Sequence, residues 1–109
     1  MSVLRILFDQ GTPAPLRHFL SHHEVATAYE MGWSKLKNGE LLNAAEANGF
    51  ETLVTTDSNL RYQQNLKSRR IAVVVLSTTS WPRIRNAIAQ IVLAVDCAVE
   101  HDYTEVRIP

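Results

Sequence analysis

The chain has 109 residues, 46% of them hydrophobic and 20% charged, which is ordinary for one soluble globular domain. Basic and acidic residues balance at a formal net charge of zero, so binding to a polyanion would require a local basic patch. The single cysteine, Cys97, excludes an internal disulfide, and no apolar run approaches the roughly 20 residues that span a bilayer. Because a secretory signal pattern is also lacking, we expect a cytoplasmic protein that does not enter a membrane.

Five short stretches rich in β-branched and apolar residues predict strands. The last of them alternates apolar and polar residues, and we expect it at a sheet edge. Predicted helices separate the strands, an order typical of parallel pairing. No linker or repeat divides the chain, so residues 1–109 are expected to form one α/β domain. The predicted strands cover residues 3–8, 24–28, 52–56, 71–76 and 103–108.

Capping residues mark the predicted helices. Thr12 is expected to cap a helix that begins with Pro13, because the missing proline N–H would be unpaired in a first turn. Asn38 is expected to cap a helix over residues 39–48, which Gly49 would end in the left-handed conformation. A short helical segment is predicted over residues 59–66. A long helix from Ser80 is predicted to bury a stripe consisting of Ile84, Ile88, Ile91, Val95 and Val99.

Two predicted strands end at an aspartate, Asp9 after the first and Asp57 after the strand at 52–56. Ligands bind at the carboxyl edge of parallel sheets, so both side chains are expected in one pocket. Glu40, in the first turn of the helix at 39–48, joins them if that helix starts at the same edge. Carboxylate oxygens suit hard divalent cations, and the predicted site therefore holds Mg²⁺ or Mn²⁺.

Three segments of the chain resemble the short stand-alone PIN-like domains of bacteria, an uncharacterised branch of the PIN nuclease superfamily. The resemblance covers about residues 3–77. It implies a three-layer α/β/α sandwich with a central, mostly parallel sheet. The segments are Ile6-Leu7-Phe8-Asp9, Asn38-Gly39-Glu40-Leu41-Leu42 with Ala45 and Gly49, and Leu53-Val54-Thr55-Thr56-Asp57-Ser58-Asn59-Leu60.

The same resemblance implies a function and a set of site residues. PIN domains cut single-stranded RNA with Mg²⁺ or Mn²⁺, many are toxins that pair with an antitoxin protein, and homodimers are common among them. Asp9, Glu40 and Asp57 match the acidic positions, which implies catalytic and metal-binding roles for all three. Gln10, Asn38 and Asn59 would lie in the layer around the metal ligands, without coordinating the cation themselves.

The alternative is a catalytically degenerate PIN-like domain that binds RNA or a partner protein without cleavage. It is favoured by Asn38 and Asn59, which stand where the branch often has aspartates, since an amide brings no charge to a cation. A further alternative is a small α/β interaction domain whose carboxylates only cap helices, which would be supported if Asp9 and Asp57 lie far apart.

A basic segment follows Asp57. Basic side chains contact phosphates without reading sequence, and an aromatic ring can stack on an unpaired base. The RNA-binding residues predicted here are Arg61, Tyr62, Lys67, Arg69 and Arg70, with an ordinary solvated helix face as the alternative. His18 and His22 share a helical face, but no third zinc ligand is evident, and a helix-end role is the favoured interpretation.

Overall fold

The computed structural model describes residues 3–60 and 66–109, apart from the side chains of Asn38 and Ser68. Within these residues the strands form one sheet in the order β2-β1-β3-β4-β5, and every neighbouring pair is parallel. The predicted α/β class is confirmed, and β5 occupies an edge as expected. The strands are β1 (Arg5–Phe8), β2 (Glu24–Thr27), β3 (Thr52–Thr55), β4 (Ala72–Leu76) and β5 (Tyr103–Val106).

Helical segments join the strands in every connection. The α-helices are α1 (Asn38–Ala47), α2 (Trp81–Arg85) and α3 (Ile88–Asp96), and 3₁₀ segments cover Ala14–Leu20, Leu66–Ser68 and Ala98–Glu100. The α1 helix buries Leu41, Leu42 and Ala45 and is followed by Gly49 at φ 79°, as the sequence predicts. Its N-cap is Lys37 rather than Asn38.

Thr12 does not cap the helical segment that follows it. The N-cap of that segment is Pro13, with no side-chain capping bond, and the segment is a 3₁₀ helix. The buried Thr12 hydroxyl instead lies 2.7 Å from Asp9 Oδ1 and 2.9 Å from the Val54 carbonyl oxygen. The capping prediction was wrong because a tertiary partner outcompetes the local backbone for this hydroxyl.

The predicted long C-terminal helix is broken at residues 86–87. The Ala87 N–H donates to the Ile84 carbonyl at 2.9 Å, and Ala87 leaves helical geometry at φ −116° and ψ 21°. Ile84, Ile91 and Val95 are buried as predicted, but Val99 is 53% exposed and Ala87 and Ala98 are buried instead. The α3 helix ends at Asp96 and Val99 lies in the 3₁₀ segment Ala98–Glu100, so the helical spacing that would bury Val99 no longer applies there.

The helices cover both faces of the sheet, which is compatible with a three-layer α/β/α sandwich. Side chains alternate along a strand, and in β1 Ile6 and Phe8 pack on one face and Leu7 on the other. The α2 and α3 helices cover the Ile6 face, and α1 covers the Leu7 face. No helix among residues 3–60 and 66–109 is long and apolar enough to cross a membrane.

The strand order reverses direction at β1. The chain passes from β1 to β2 on one side and then returns to place β3 on the other side of β1. In open α/β sheets such a reversal opens a crevice at the carboxyl ends of the two strands. Asp9 directly follows β1, and Asp57 lies two residues after β3.

Candidate functional site at the carboxyl ends of β1 and β3

Asp9 is held at the end of β1 by its backbone and by two threonines. Its N–H donates to the Val54 carbonyl at 3.1 Å, which extends the pairing with β3 by one residue. One carboxylate oxygen accepts the Thr12 hydroxyl at 2.7 Å, and the other accepts the Thr55 hydroxyl. Both oxygens of this half-buried carboxylate are therefore fixed in direction.

Asp57 is connected to Asp9 through the Thr55 hydroxyl. The Asp57 N–H donates to Thr55 Oγ1 at 3.1 Å, while the same hydroxyl donates its proton to Asp9. Asp57 Oδ1 accepts the Asn59 N–H at 3.0 Å. The half-buried Asp57 carboxylate thus turns the chain after β3 and keeps its second oxygen free of hydrogen bonds to the described residues.

Gly11 allows the turn after β1 to lie against the turn after β3. A Cβ atom at this position would lie 2.7 Å from Thr56 Oγ1, closer than real Cβ contacts allow. A larger residue would therefore force the Thr56 side chain or the turn itself to shift. Because each turn carries one of the aspartates, a shift of the turn would change the spacing of the two carboxylates.

The two aspartates line one cavity of about 310 Å³. This volume is at the lower end of the roughly 300–1,000 Å³ that small-molecule sites occupy. Distant aspartates would have supported the α/β interaction-domain alternative, and this arrangement does not supply that support. The cavity is lined by Asp9, Gln10, Ala28, Trp33, Ser34, Leu36, Lys37, Leu41, Leu53, Thr55, Asp57 and Leu60.

Glu40 lies outside this cavity wall. It is exposed in the first turn of α1. Its carboxylate does not form a group with those of Asp9 and Asp57 in which the ligand atoms all lie within 4.8 Å of one another. Asn59 is exposed and contributes its N–H to Asp57, whereas the side chain of Asn38 lies outside the description. Of the six predicted site residues, the structure brings Asp9, Gln10 and Asp57 together.

Lys37 and Trp33 line the cavity and were missed by the sequence interpretation. Lys37 is exposed and immediately precedes α1. A helix that starts at the carboxyl edge of the sheet places its N-cap residue there, and this is the sequence signal that could have identified Lys37. Trp33 belongs to the irregular segment between β2 and α1, where no periodicity indicates which side chains face the site.

The two cavity carboxylates fit a hard divalent cation. Mg²⁺ usually takes one or two carboxylates and keeps several waters. An ionised carboxylate offers about four lone-pair sites, so Asp9 can accept both threonine hydroxyls and still present an oxygen to a cation. Asp57 and Asp9 could therefore hold Mg²⁺ or Mn²⁺ between them, without Glu40.

Two residues of the basic segment, Arg69 and Arg70, form hydrogen bonds to α1. Arg69 forms an ion pair with Glu46, with Nη1 2.6 Å from Oε1, and donates to Asn43 Oδ1 at 2.8 Å. The Arg70 N–H donates to Glu46 Oε2 at 3.0 Å. Both arginines precede β4 and so lie at the amino edge of the sheet, opposite the cavity.

RNA binding by all five basic-segment residues, Arg61, Tyr62, Lys67, Arg69 and Arg70, stays a prediction. Lys67 is exposed. Arg61 and Tyr62 lie outside the described residues.

A second group of ligand-type side chains joins His22 and His23 to Asp96 at the end of α3. The two Nε2 atoms lie 2.9 and 2.7 Å from Asp96 Oδ1. The Leu4 N–H donates to His23 Nδ1 at 3.0 Å, so the proton of a neutral His23 is on Nε2, which donates to Asp96. His23 Nε2 therefore has no lone pair for a metal unless the Leu4 bond is lost, and the group fits a hydrogen-bonded clamp better than a metal site.

The charge on Asp96 is stabilised by this clamp. Burial raises the pKa of the Asp96 carboxyl, but the hydrogen bonds from His23 and His22 and their charges outweigh it, and the net pKa is lowered from 3.8. His18, which was considered with His22, is exposed and does not belong to the group.

Comparison with known proteins does not identify the chain. No protein-family model, curated protein sequence or solved structure matches it.

Proposed function

We propose that this protein is a PIN-like, metal-dependent ribonuclease that hydrolyses phosphodiester bonds in single-stranded RNA. One observation carries the proposal: Asp9 and Asp57 line a single cavity at the point where the strand order reverses. The resemblance of the surrounding segments to PIN-like domains supports it. A toxin role with an antitoxin partner, a homodimeric state and a cytoplasmic location are parts of the same proposal.

In this proposal Asp9 and Asp57 hold one Mg²⁺ or Mn²⁺. A bound cation of this type lowers the pKa of a coordinated water and neutralises charge on a phosphate. The Thr12 and Thr55 hydroxyls keep the Asp9 carboxylate oriented through their hydrogen bonds. Glu40 does not line the cavity, and the cation is therefore assigned to the two aspartates alone.

Lys37 adds a positive charge at the same cavity. Its ammonium group forms no ion pair with the carboxylates of residues 3–60 and 66–109. An ammonium on a flexible stem is a common phosphate ligand. Lys37 is assigned to the RNA backbone beside the bond that is cut.

The test is cleavage of a short single-stranded RNA in Mn²⁺ or Mg²⁺ by the wild type and by Asp57→Asn. We expect cleavage that a chelator blocks and that falls by at least about a hundredfold in the variant, because metal-ligand loss removes several kcal/mol of transition-state stabilisation. Asp102→Asn, an exposed aspartate away from the cavity, is the matched control. Equal cleavage by wild type and Asp57→Asn would identify a contaminating nuclease and contradict the proposal.

The second candidate function is RNA or protein binding without cleavage. It is favoured by the exposed position of Glu40, which leaves two carboxylates at the cavity, and by the uncharged Asn59. Folded protein that binds single-stranded RNA in Mn²⁺ but leaves several RNA sequences intact would establish this candidate in place of the first.

A further inference from the structure

Trp33 forms part of the cavity wall on a segment that is fixed to the sheet. The Trp33 N–H donates to the Ala28 carbonyl at 2.8 Å, and the Met31 N–H donates to the Thr27 carbonyl at 3.1 Å. The indole ring is half-buried and meets the Phe50 ring edge to face at a centroid distance of 6.0 Å. The ring is thus held in position while part of it remains accessible from the cavity.

The cavity combines this ring with charges of both signs. Lys37 contributes an ammonium group, and Asp9 and Asp57 contribute two carboxylates suited to a cation. An aromatic surface stacks on any base, since every base has a π-face, and a cation beside it binds the phosphate. A purely metal-binding or purely apolar pocket would need only one of these features.

We propose that the cavity binds one unpaired nucleotide, with its base stacked on Trp33 and its phosphate beside Lys37. The proposal deepens and rests on the proposed ribonuclease function, because this nucleotide would adjoin the phosphate that is cut. A cavity of about 310 Å³ suits one nucleotide and not a base pair. A base in a duplex is already stacked on both sides, so the pocket selects unpaired RNA.

The two tryptophans of the sequence allow the nucleotide to be detected separately from cleavage. Trp81 packs against Phe19 at a centroid distance of 6.1 Å, in the apolar layer on the other face of the sheet. Trp81→Phe leaves Trp33 as the only indole fluorophore, and Trp33→Phe leaves Trp81. The ligands are a ribonucleoside monophosphate, which has no phosphodiester bond to cleave, and a short single-stranded RNA, which is titrated with a chelator present so that no cleavage interferes.

We expect saturable quenching of indole fluorescence in Trp81→Phe and none in Trp33→Phe. Trp33→Leu is expected to weaken binding of a short single-stranded RNA about tenfold through loss of stacking. Lys37→Gln should weaken the monophosphate about fivefold and leave the phosphate-free nucleoside unaffected, whereas Lys35→Gln, exposed and outside the cavity wall, should change neither.

Three outcomes would overturn the nucleotide pocket: no saturable quenching in Trp81→Phe, equal quenching by duplex RNA, or monophosphate affinity unchanged in both Lys37→Gln and Trp33→Leu. Cleavage without Trp33 quenching would remove the pocket and leave the ribonuclease standing. Quenching without cleavage would support the pocket and remove the ribonuclease.

Discussion

The two aspartates of the cavity accept different sets of hydrogen bonds. Asp9 accepts the Thr12 hydroxyl within the turn after β1 and the Thr55 hydroxyl from β3, so its carboxylate helps to hold the sheet edge together. Asp57 accepts one backbone N–H within its own turn. An amide oxygen can replace a carboxylate oxygen in that single bond, which makes Asp57 the better position at which to remove charge.

Asp9→Ala is expected to lower the free energy of unfolding by about 1–3 kcal/mol, because the buried Thr55 hydroxyl loses its acceptor. Asp57→Asn is expected to change it by less than about 0.5 kcal/mol. Denaturant unfolding of both variants measures the difference. Equal destabilisation by the two substitutions would mean that the threonine bonds do not distinguish the aspartates.

Gly11→Ala is expected to destabilise the protein by about 1–3 kcal/mol through the contact of the new Cβ with Thr56 Oγ1. The same substitution made on a Thr56→Ala background should cost less, because the clashing atom is gone. Thermal unfolding of the four proteins in this double-mutant cycle tests the contact. Additive effects would show that Gly11 is required for another reason.

At the scale of elements, the basic segment stabilises α1 through Glu46. Burial raises the pKa of the Glu46 carboxyl, but hydrogen bonds from the Arg70 N–H and the Arg69 side chain, with both charges, lower it overall. The Arg69 guanidinium is therefore tied to protein. RNA binding by this segment was predicted from its basic and aromatic residues. The composition does not reveal which basic side chains already have a carboxylate partner.

Arg69→Gln is expected to lower stability by about 1 kcal/mol, since the half-buried Glu46 carboxylate loses an ion-pair partner. Arg70→Gln keeps the backbone bond to Glu46 and should be neutral within about 0.5 kcal/mol. The melting temperatures of the two variants measure the difference.

RNA affinity and its salt dependence are measured on two variants, Arg70→Gln and Lys67→Gln. An RNA affinity that is unchanged in both variants would exclude these two side chains from the RNA interface.

The elements differ in how far the sequence predicts them. All five strands were predicted to within about two residues, because buried parallel strands are short apolar runs. The break in the C-terminal helix at Asn86 and Ala87 was not predicted, since neither residue is a glycine or proline and the apolar spacing continues across the break. Trp33 and Lys37 were missed because the segment that carries Trp33 has no regular period, and its position follows from long-range packing.

At the scale of the whole molecule, His22, His23 and Asp96 connect the start of β2 to the end of α3. These partners are 73 and 74 residues apart in sequence, and no local pattern predicts their contact. The folded-state pKa of Asp96 lies below 3.8. Ionisation of Asp96 therefore favours the folded state above about pH 3.8, and this contribution is lost as the pH falls through the lower folded-state pKa.

Asp96→Asn is expected to lower the free energy of unfolding by about 1 kcal/mol at pH 7, because hydrogen bonds to a charged acceptor are stronger. The difference from wild type should shrink below about pH 3.8, where the unfolded carboxyl also takes up a proton. Denaturant unfolding at pH values from 7 to below about 3.8 measures the difference in the free energy of unfolding, with Asp102→Asn as the control. A difference that persists unchanged at low pH would contradict the charge-based explanation.

In the proposed function, Asp9 and Asp57 form the cation site, and the His22, His23 and Asp96 group does not. The most direct measurement is Mn²⁺ binding by calorimetry on folded wild type, Asp57→Asn, His22→Ala and Asp102→Asn. We predict one saturable site that Asp57→Asn abolishes and that His22→Ala and Asp102→Asn retain. Binding that survives Asp57→Asn and disappears in His22→Ala, or no saturable binding to the wild type, would contradict the account.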